Sequence, residues 1–176
     1  RRFAHYDYWD DAVRPSILVD SGADLLMFGM GERSILVTAD WMSRGAPAWE
    51  CAKMRGVCFL SPAPMRGSIE IPSFEDCVKS KKKYSEAFLV QYNEQDPIRG
   101  HAISQRHGDA YLVQTIPDMP LNRDELDHSY TLPYQRTWHP DYDALGGVPA
   151  IEEVQFSIAH TRGCFGSCSF CAITFL

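Results

Sequence analysis

Three cysteines near the end of the chain limit what the protein can be more than any other feature. Cys164, Cys168 and Cys171 form a C-x3-C-x2-C pattern, with glycine, serine and phenylalanine between them. Several thiolates on one tight turn can reach a single metal centre, so this spacing predicts a metal-binding loop. The set is one ligand short of the four that a structural zinc site or a fully protein-held iron–sulfur cube uses.

Two kinds of metal centre are compatible with this loop. A structural zinc site needs a fourth ligand, and His160 would supply it in the pattern H-x3-C-x3-C-x2-C. An iron–sulfur cube held by three thiolates would instead keep one iron open to bind another molecule. The spacing favours the iron–sulfur cluster, and the zinc site stays an alternative.

Length, charge and termini restrict the class of protein that carries the loop. A chain of 176 residues, 45% of them apolar, suffices for one domain, or for one domain and part of a second. The net charge of −6 does not indicate a nucleic-acid partner, and no apolar run is long enough to span a membrane. Because the chain begins with Arg1 and ends in an apolar run at residues 172–176, we expect a piece of a longer protein.

The other three cysteines, Cys51, Cys58 and Cys77, are scattered and follow no disulfide spacing. Isolated cysteines in a chain without an export signal are usually small buried hydrophobic residues. We therefore expect them in the core. A reducing cytoplasm is the expected compartment, and thiolate clusters also persist there.

Apolar runs and helical patterns predict an α/β fold in the first part of the chain. Residues 25–28 and 57–60 read as buried strands, and residues 34–43 between them read as a helix. Two strands joined by helical segments favour at least partly parallel pairing. The expected buried face of that helix consists of Ile35, Leu36, Ala39 and Met42.

A glycine turn separates the first strand from its helix. Gly29 and Gly31 begin the pattern G-x-G-x-x-S, which lacks the third glycine of the dinucleotide-binding fingerprint. Ordinary strand–turn–helix packing is therefore the favoured interpretation. Nucleotide binding at these glycines is kept as a third functional hypothesis.

Turn and cap signals divide the rest of the chain. Ser73 is expected to cap one long helix over residues 73–94, and Asn122 a short helix over residues 123–129. A hairpin with Gly108 at its turn is expected between residues 102 and 114. Residues 133–149, rich in proline and glycine, mark a domain boundary, and the alternating residues 153–158 read as a strand that leads into the cysteine loop.

The motif resembles the signature of the radical S-adenosylmethionine (SAM) superfamily, in which an aromatic residue, here Phe170, precedes the third cysteine. The amino-acid sequence beyond the motif is similar to that of YgiQ-type radical SAM proteins, whose activity is uncharacterised. The similar segments are RFAHYDYW at residues 2–9, LPY at residues 132–134 and RGCFGSCSFCAI at residues 162–173.

This resemblance implies that Cys164, Cys168 and Cys171 bind three irons of a [4Fe–4S] cluster and that SAM chelates the fourth. Reductive cleavage of SAM would give a 5′-deoxyadenosyl radical that abstracts hydrogen from an unknown substrate. Phe170 would bind the cofactor next to its adenine, or simply shield the cluster from water. A reductant such as flavodoxin or ferredoxin is implied as a partner, and no membrane is.

The resemblance also implies a domain organisation. Residues 1–147 would form an accessory α/β domain with a partly parallel sheet, and residues 148–176 the first strand and cluster loop of a truncated (β/α) barrel. The Gly-Gly-Glu-like motif that holds the methionyl amine is not found after the cysteines. We therefore expect the piece alone to be inactive and residues beyond Gly163 to pack poorly. A structural zinc or iron–sulfur module without catalysis is the alternative function.

Overall fold

The computed structural model describes residues 1–158, 162–166, 168 and 171. It divides the chain into two compact units, Arg1–Pro120 and Leu121–Leu176, which are described separately. The predicted domain boundary at residue 147 concerns the full-length protein and stays a prediction.

Within the described residues the strands are His5–Asp7 (β1), Ala12–Arg14 (β2), Leu26–Met27 (β3), Val57–Ser61 (β4), Ile69–Ile71 (β5), Ile103–His107 (β6) and Ala110–Gln114 (β7). The α-helices are Ile17–Ser21 (α1), Glu32–Ser43 (α2), Phe74–Lys79 (α3), Lys81–Asn93 (α4), Arg123–Thr131 (α5) and Ile151–Val154 (α6). Two 3₁₀ helices span Ala48–Lys53 and Pro140–Leu145.

The first unit is built on a five-stranded mixed sheet of order β3-β4-β7-β6-β5. Its parallel pair is β5–β6, which α3 and α4 connect, because parallel neighbours need a long crossover. The other pairs are antiparallel, including the predicted β6–β7 hairpin. An α/β fold with a partly parallel sheet is thus confirmed.

The expected parallel pairing of the first two predicted strands is wrong. Leu26 lies opposite Cys58 and Met27 opposite Val57, so β3 and β4 are antiparallel. The long connection through α2 and the 3₁₀ helix Ala48–Lys53 permits either direction, and here it returns the chain along β3 in the opposite sense. Helical connections alone therefore did not fix the strand direction.

One face of the sheet carries the main hydrophobic core. Ile103 and Leu112 from the central strands lie against Phe3 of the N-terminal segment and Leu18 of α1. The scattered cysteines are buried as expected, and two of them, Cys58 and Cys77, belong to this core. Burial raises the pKa of the Cys58 thiol to about 12 and that of Cys77 to about 11, so both remain neutral thiols.

The predicted long helix over residues 73–94 is two helices. Ser80 has extended backbone angles, φ −142° and ψ 114°, and its side chain accepts a hydrogen bond from the backbone of Lys83. It therefore caps a new helix, as a serine can do wherever a helix begins. The predicted cap at Ser73 is confirmed, and its hydroxyl forms a capping box with Asp76. In the second of these helices Ala87 is buried, whereas Phe88 and Tyr92 are exposed.

Helix α2 lies where the sequence predicted a helix but faces the opposite way. Ser34 and Thr38 are its buried residues. The apolar residues that were expected inside are exposed, namely Ile35, Leu36, Ala39 and Met42. The predicted buried face is therefore wrong.

Two buried glutamines occupy the same side of the sheet but differ in their hydrogen bonding. Gln105 on β6 accepts from the backbone N–H of Ala4 and donates to the carbonyl of Pro72, both at 2.8 Å. It also lies 3.1 Å from Nε2 of His107. Gln114 on β7 is equally buried, and neither of its amide atoms has a hydrogen-bond partner within the described residues.

This difference makes a paired prediction. Gln105→Leu should lower the free energy of unfolding by about 2–3 kcal/mol, because it leaves the Ala4 N–H and the Pro72 carbonyl buried without partners. Gln114→Leu should change it by less than about 1 kcal/mol, because no hydrogen bond is lost. Urea unfolding of both variants measures the two values, and equal destabilisation would contradict the assignment.

Candidate metal centre

The second unit begins with a well-capped helix. Asn122 precedes α5, where its Oδ1 accepts from the backbone N–H of Glu125 at 2.9 Å. Glu125 returns the contact by accepting from the Asn122 N–H at 2.8 Å. This reciprocal pair is a capping box, and it confirms the predicted helix start.

The proline- and glycine-rich stretch that follows holds an ordered turn. Trp138 donates from its indole N–H to Asp143 at 2.7 Å, at the start of a region containing the 3₁₀ helix Pro140–Leu145. Gly147 has φ 82°, and a Cβ built on it would lie 2.5 Å from the Trp138 ring. Only glycine therefore fits beneath this indole.

The strand predicted over residues 153–158 is not observed. Helix α6 ends at Val154, and the residues after it form a turn and irregular chain. Val154, Phe156 and Ile158 are exposed rather than aligned on a buried face. Alternation forms a strand only where a neighbouring strand supplies hydrogen bonds, and the described residues of this unit contain none. The truncated barrel expected here is thus not confirmed.

The first two cysteines of the motif lie close to the same glycine. The backbone N–H of Gly166 donates to Sγ of Cys164 at 3.4 Å, and the thiol of Cys168 donates to the Gly166 carbonyl at 3.7 Å. A Cβ built on Gly166 would lie 3.4 Å from the Cys164 sulfur and 3.6 Å from the Cys168 sulfur. The missing side chain therefore leaves open the space that both sulfurs border.

A backbone hydrogen bond joins the third cysteine to the second. The backbone N–H of Cys171 donates to the Cys168 carbonyl at 3.0 Å. Cys164 and Cys168 are exposed, and Cys171 is half-buried. Among the described residues no three potential ligands lie close enough together to hold a metal ion. Convergence of all three sulfurs stays a prediction, and His160 and Phe170 lie outside the described residues.

One contact ties the start of the cysteine loop to the rest of its unit. The guanidinium of Arg162 lies 6.0 Å from the centroid of the Tyr130 ring on α5, within the range of a cation–π interaction. In the sequence, Arg162 stands out only as the first residue of the family-like segment 162–173. The pairing with Tyr130 had no local sequence signal, because 31 positions separate the two residues.

The glycines of the nucleotide-binding hypothesis lie in the first unit. Gly29 has φ 69° and Gly31 precedes α2, so the strand–turn–helix interpretation is confirmed. A dinucleotide fingerprint belongs to a parallel βαβ unit, whereas β3 is an edge strand antiparallel to β4. Glu32 also places a carboxylate in the first turn of the helix, which disfavours phosphate there.

Comparison with known protein families identifies the chain. The model described as Radical SAM N-terminal matches residues 1–157. The chain belongs to the Radical SAM N-terminal family. This assignment confirms the resemblance to YgiQ-type radical SAM proteins. The family match ends before the first cysteine of the motif, so it is independent of the three thiols.

Relatives of this Radical SAM N-terminal chain extend the comparison across the cysteine loop. A UPF0313 protein of Clostridium botulinum (strain 657 / Type Ba4) is 52% identical over 177 residues, which cover 99% of this chain and 28% of the relative. A UPF0313 protein of Clostridium perfringens (strain SM101 / Type A) is 51% identical over 178 residues, covering 99% of this chain and 27% of the relative. The chain thus spans little more than a quarter of these relatives.

Two further findings concern the Radical SAM N-terminal chain as a whole. No solved structure gives a significant match to it. Among its described helices, none is sufficiently long and apolar to cross a bilayer.

The position of Gly166 makes a testable prediction about the thiol pair. Gly166→Ala should weaken Cd²⁺ binding to the protein about tenfold, or about 1.4 kcal/mol, because the new methyl group fills the space that both sulfurs border. Titration followed by cadmium–thiolate absorbance measures the affinity. Phe165→Ala is the matched control, because Phe165 is fully exposed. Equal affinities for the two variants would contradict the geometry.

Proposed function

We propose that this chain is the N-terminal part of a radical SAM enzyme whose substrate is unknown. The observation that carries the proposal is the C-x3-C-x2-C motif in a chain of the Radical SAM N-terminal family. Its relatives are much longer, which leaves room for a catalytic barrel outside these residues. We also propose a cytoplasmic location, because a thiolate cluster requires a reducing compartment.

Cys164, Cys168 and Cys171 are the residues that would hold a [4Fe–4S] cluster, and the donor set fits that group. Thiolates are the usual protein ligands of iron–sulfur cubes, and two of the three sulfurs already border one open space beside Gly166. When bound together with SAM, the cluster supplies the electron for reductive cleavage of SAM to a 5′-deoxyadenosyl radical.

The protein's own groups would position and protect that chemistry. The Gly166 N–H, aimed at the Cys164 sulfur, is the type of hydrogen bond that stabilises negative charge on cluster thiolates. Arg162, held over Tyr130, would fix the direction in which the chain enters the loop. Phe170 would bind next to the adenine of SAM or shield the cluster from water. A small reductant such as flavodoxin or ferredoxin would dock from outside.

A structural metal module without catalysis is the second proposal. It is favoured by the same pair of sulfurs beside Gly166, because two cysteines on one turn also suit zinc. In that case His160 would complete the ligand set, and SAM would not bind. Metal content and SAM cleavage together separate the two proposals.

The decisive experiment uses a full-length protein that contains this chain, reconstituted anaerobically with iron and sulfide. We expect close to four irons per protein, broad visible absorbance, and release of 5′-deoxyadenosine from SAM under reduction. Cys164→Ala, Cys168→Ala and Cys171→Ala should each abolish the absorbance and the release. Cys51→Ala, at a buried cysteine of the first unit, is the control and should retain both.

The contradicting outcomes are specific. One tightly held zinc per protein, retained by the three cysteines and His160, would overturn the radical SAM proposal in favour of the structural module. A stable cluster that binds SAM without cleaving it under reduction would restrict the function to metal binding. The 176-residue chain itself is expected to release no 5′-deoxyadenosine.

A further inference from the structure

Helix α2 presents an apolar surface to the outside of the first unit. Ile35 is 53% exposed, Leu36 67% and Met42 53%, and Ala39 lies among them. Residues three, four and seven positions apart share one side of a helix, so these four form a continuous stripe. We call Ile35, Leu36, Ala39 and Met42 the α2 stripe.

The inner side of the same helix combines polar and apolar residues, since Val37 and Trp41 are half-buried there. Ser34 and Thr38 are buried, and the Ser34 hydroxyl donates to the carbonyl of Gly31 at 3.1 Å. The Thr38 hydroxyl is buried without a hydrogen-bond partner within the described residues. A surface helix normally turns its apolar residues inward, whereas α2 carries apolar residues on both its inner and its outer side.

The orientation of α2 is fixed at its N-terminal end. The guanidinium of Arg33 makes an ion pair with Asp118 at 3.2 Å and donates to the carbonyl of Met119 at 3.2 Å. These contacts hold the first turn against the segment that follows β7. Rotating α2 about its axis to bury the stripe would break both contacts of Arg33. These contacts therefore keep the stripe on the outside of the first unit.

A second copy of the chain is a poor occupant for this stripe. Stable association between separate proteins generally buries about 800 Å² on each partner, which is more than four side chains of one helix supply. A covalently linked segment needs far less area, because the linkage gives it an effective concentration on the order of millimolar. Relatives at 51–52% identity carry such a segment, since the aligned region is only 27–28% of their length.

We propose that the α2 stripe is the docking face for the part of the full-length polypeptide that lies outside these 176 residues. The occupant is an apolar surface of that part, which covers Leu36 and Met42 and leaves the Asp40–Arg44 ion pair at the rim. The inference rests on the exposure of the α2 stripe and the length of the relatives. It does not depend on the cluster or on SAM cleavage.

Carbene photolabelling of the 176-residue chain and of the full-length protein tests this assignment. Trypsin cleaves after Arg33 and Arg44, so residues 34–44 form one peptide that contains the whole stripe. Residues 84–99, released by cleavage after Lys83 and Arg99, contain the exposed Leu89 and Ile98 and serve as the internal reference. We expect labelling of 34–44, relative to 84–99, to fall several-fold in the full-length protein.

A variant pair shows whether the stripe itself causes the protection. Leu36→Asp should restore labelling of residues 34–44 in the full-length protein to the level of the 176-residue chain. Val78→Asp on α3, which has similar exposure and lies outside the reference peptide, should not. Equal relative labelling of the two wild-type proteins, or protection that Leu36→Asp leaves unchanged, would overturn the proposal. Protection that appears already in the 176-residue chain and is lost on dilution would assign the stripe to a second copy and also overturn it.

Discussion

The first unit depends on one buried amide. Gln105 joins the N-terminal segment at Ala4 to the segment before α3 at Pro72, and it lies on β6, a central strand of the sheet. A buried amide with its hydrogen bonds made holds its neighbours in one arrangement, because any shift exposes unpaired donors to an apolar interior. The contact sets the position of the N-terminal segment, which contributes Phe3 to the core. The N-terminal segment is therefore an integral part of the sheet's packing.

Local signals were sufficient to predict much of this fold. The Asn122 cap and the hairpin turn at Gly108 were predicted because a few neighbouring residues determine them. Strands β3 and β4 are antiparallel because of the way the long connection between them returns to the sheet. The residues next to each strand do not determine that direction. Ser80 was missed because serine is compatible with a helix interior as well as with a cap. Features set by neighbouring residues, such as caps and turns, could be predicted from the sequence. Features set by tertiary packing, such as strand direction, could not.

In the candidate site, too, the locally determined features were predicted and those that depend on distant partners were not. The cysteine spacing and Gly166 are local, and the structure places two of the sulfurs beside that glycine. The predicted strand at residues 153–158 and the predicted inner face of α2 are both wrong, because an apolar pattern does not show where its partner lies. Apolar alternation and apolar stripes indicate that one face of a segment is suited to packing against an apolar partner. They do not say whether the contact is made inside the same unit.

The six cysteines fall into two chemically distinct sets. Burial raises the thiol pKa values of Cys58 and Cys77, so both are neutral thiols at neutral pH. The loop cysteines, by contrast, are accessible to solvent or nearly so. Iron donors, alkylating reagents and oxidants need access to the sulfur, so they would reach the loop cysteines and not the buried ones. Burial thus keeps the core cysteines from binding a metal ion in the wrong place. The loop cysteines remain accessible for metal binding.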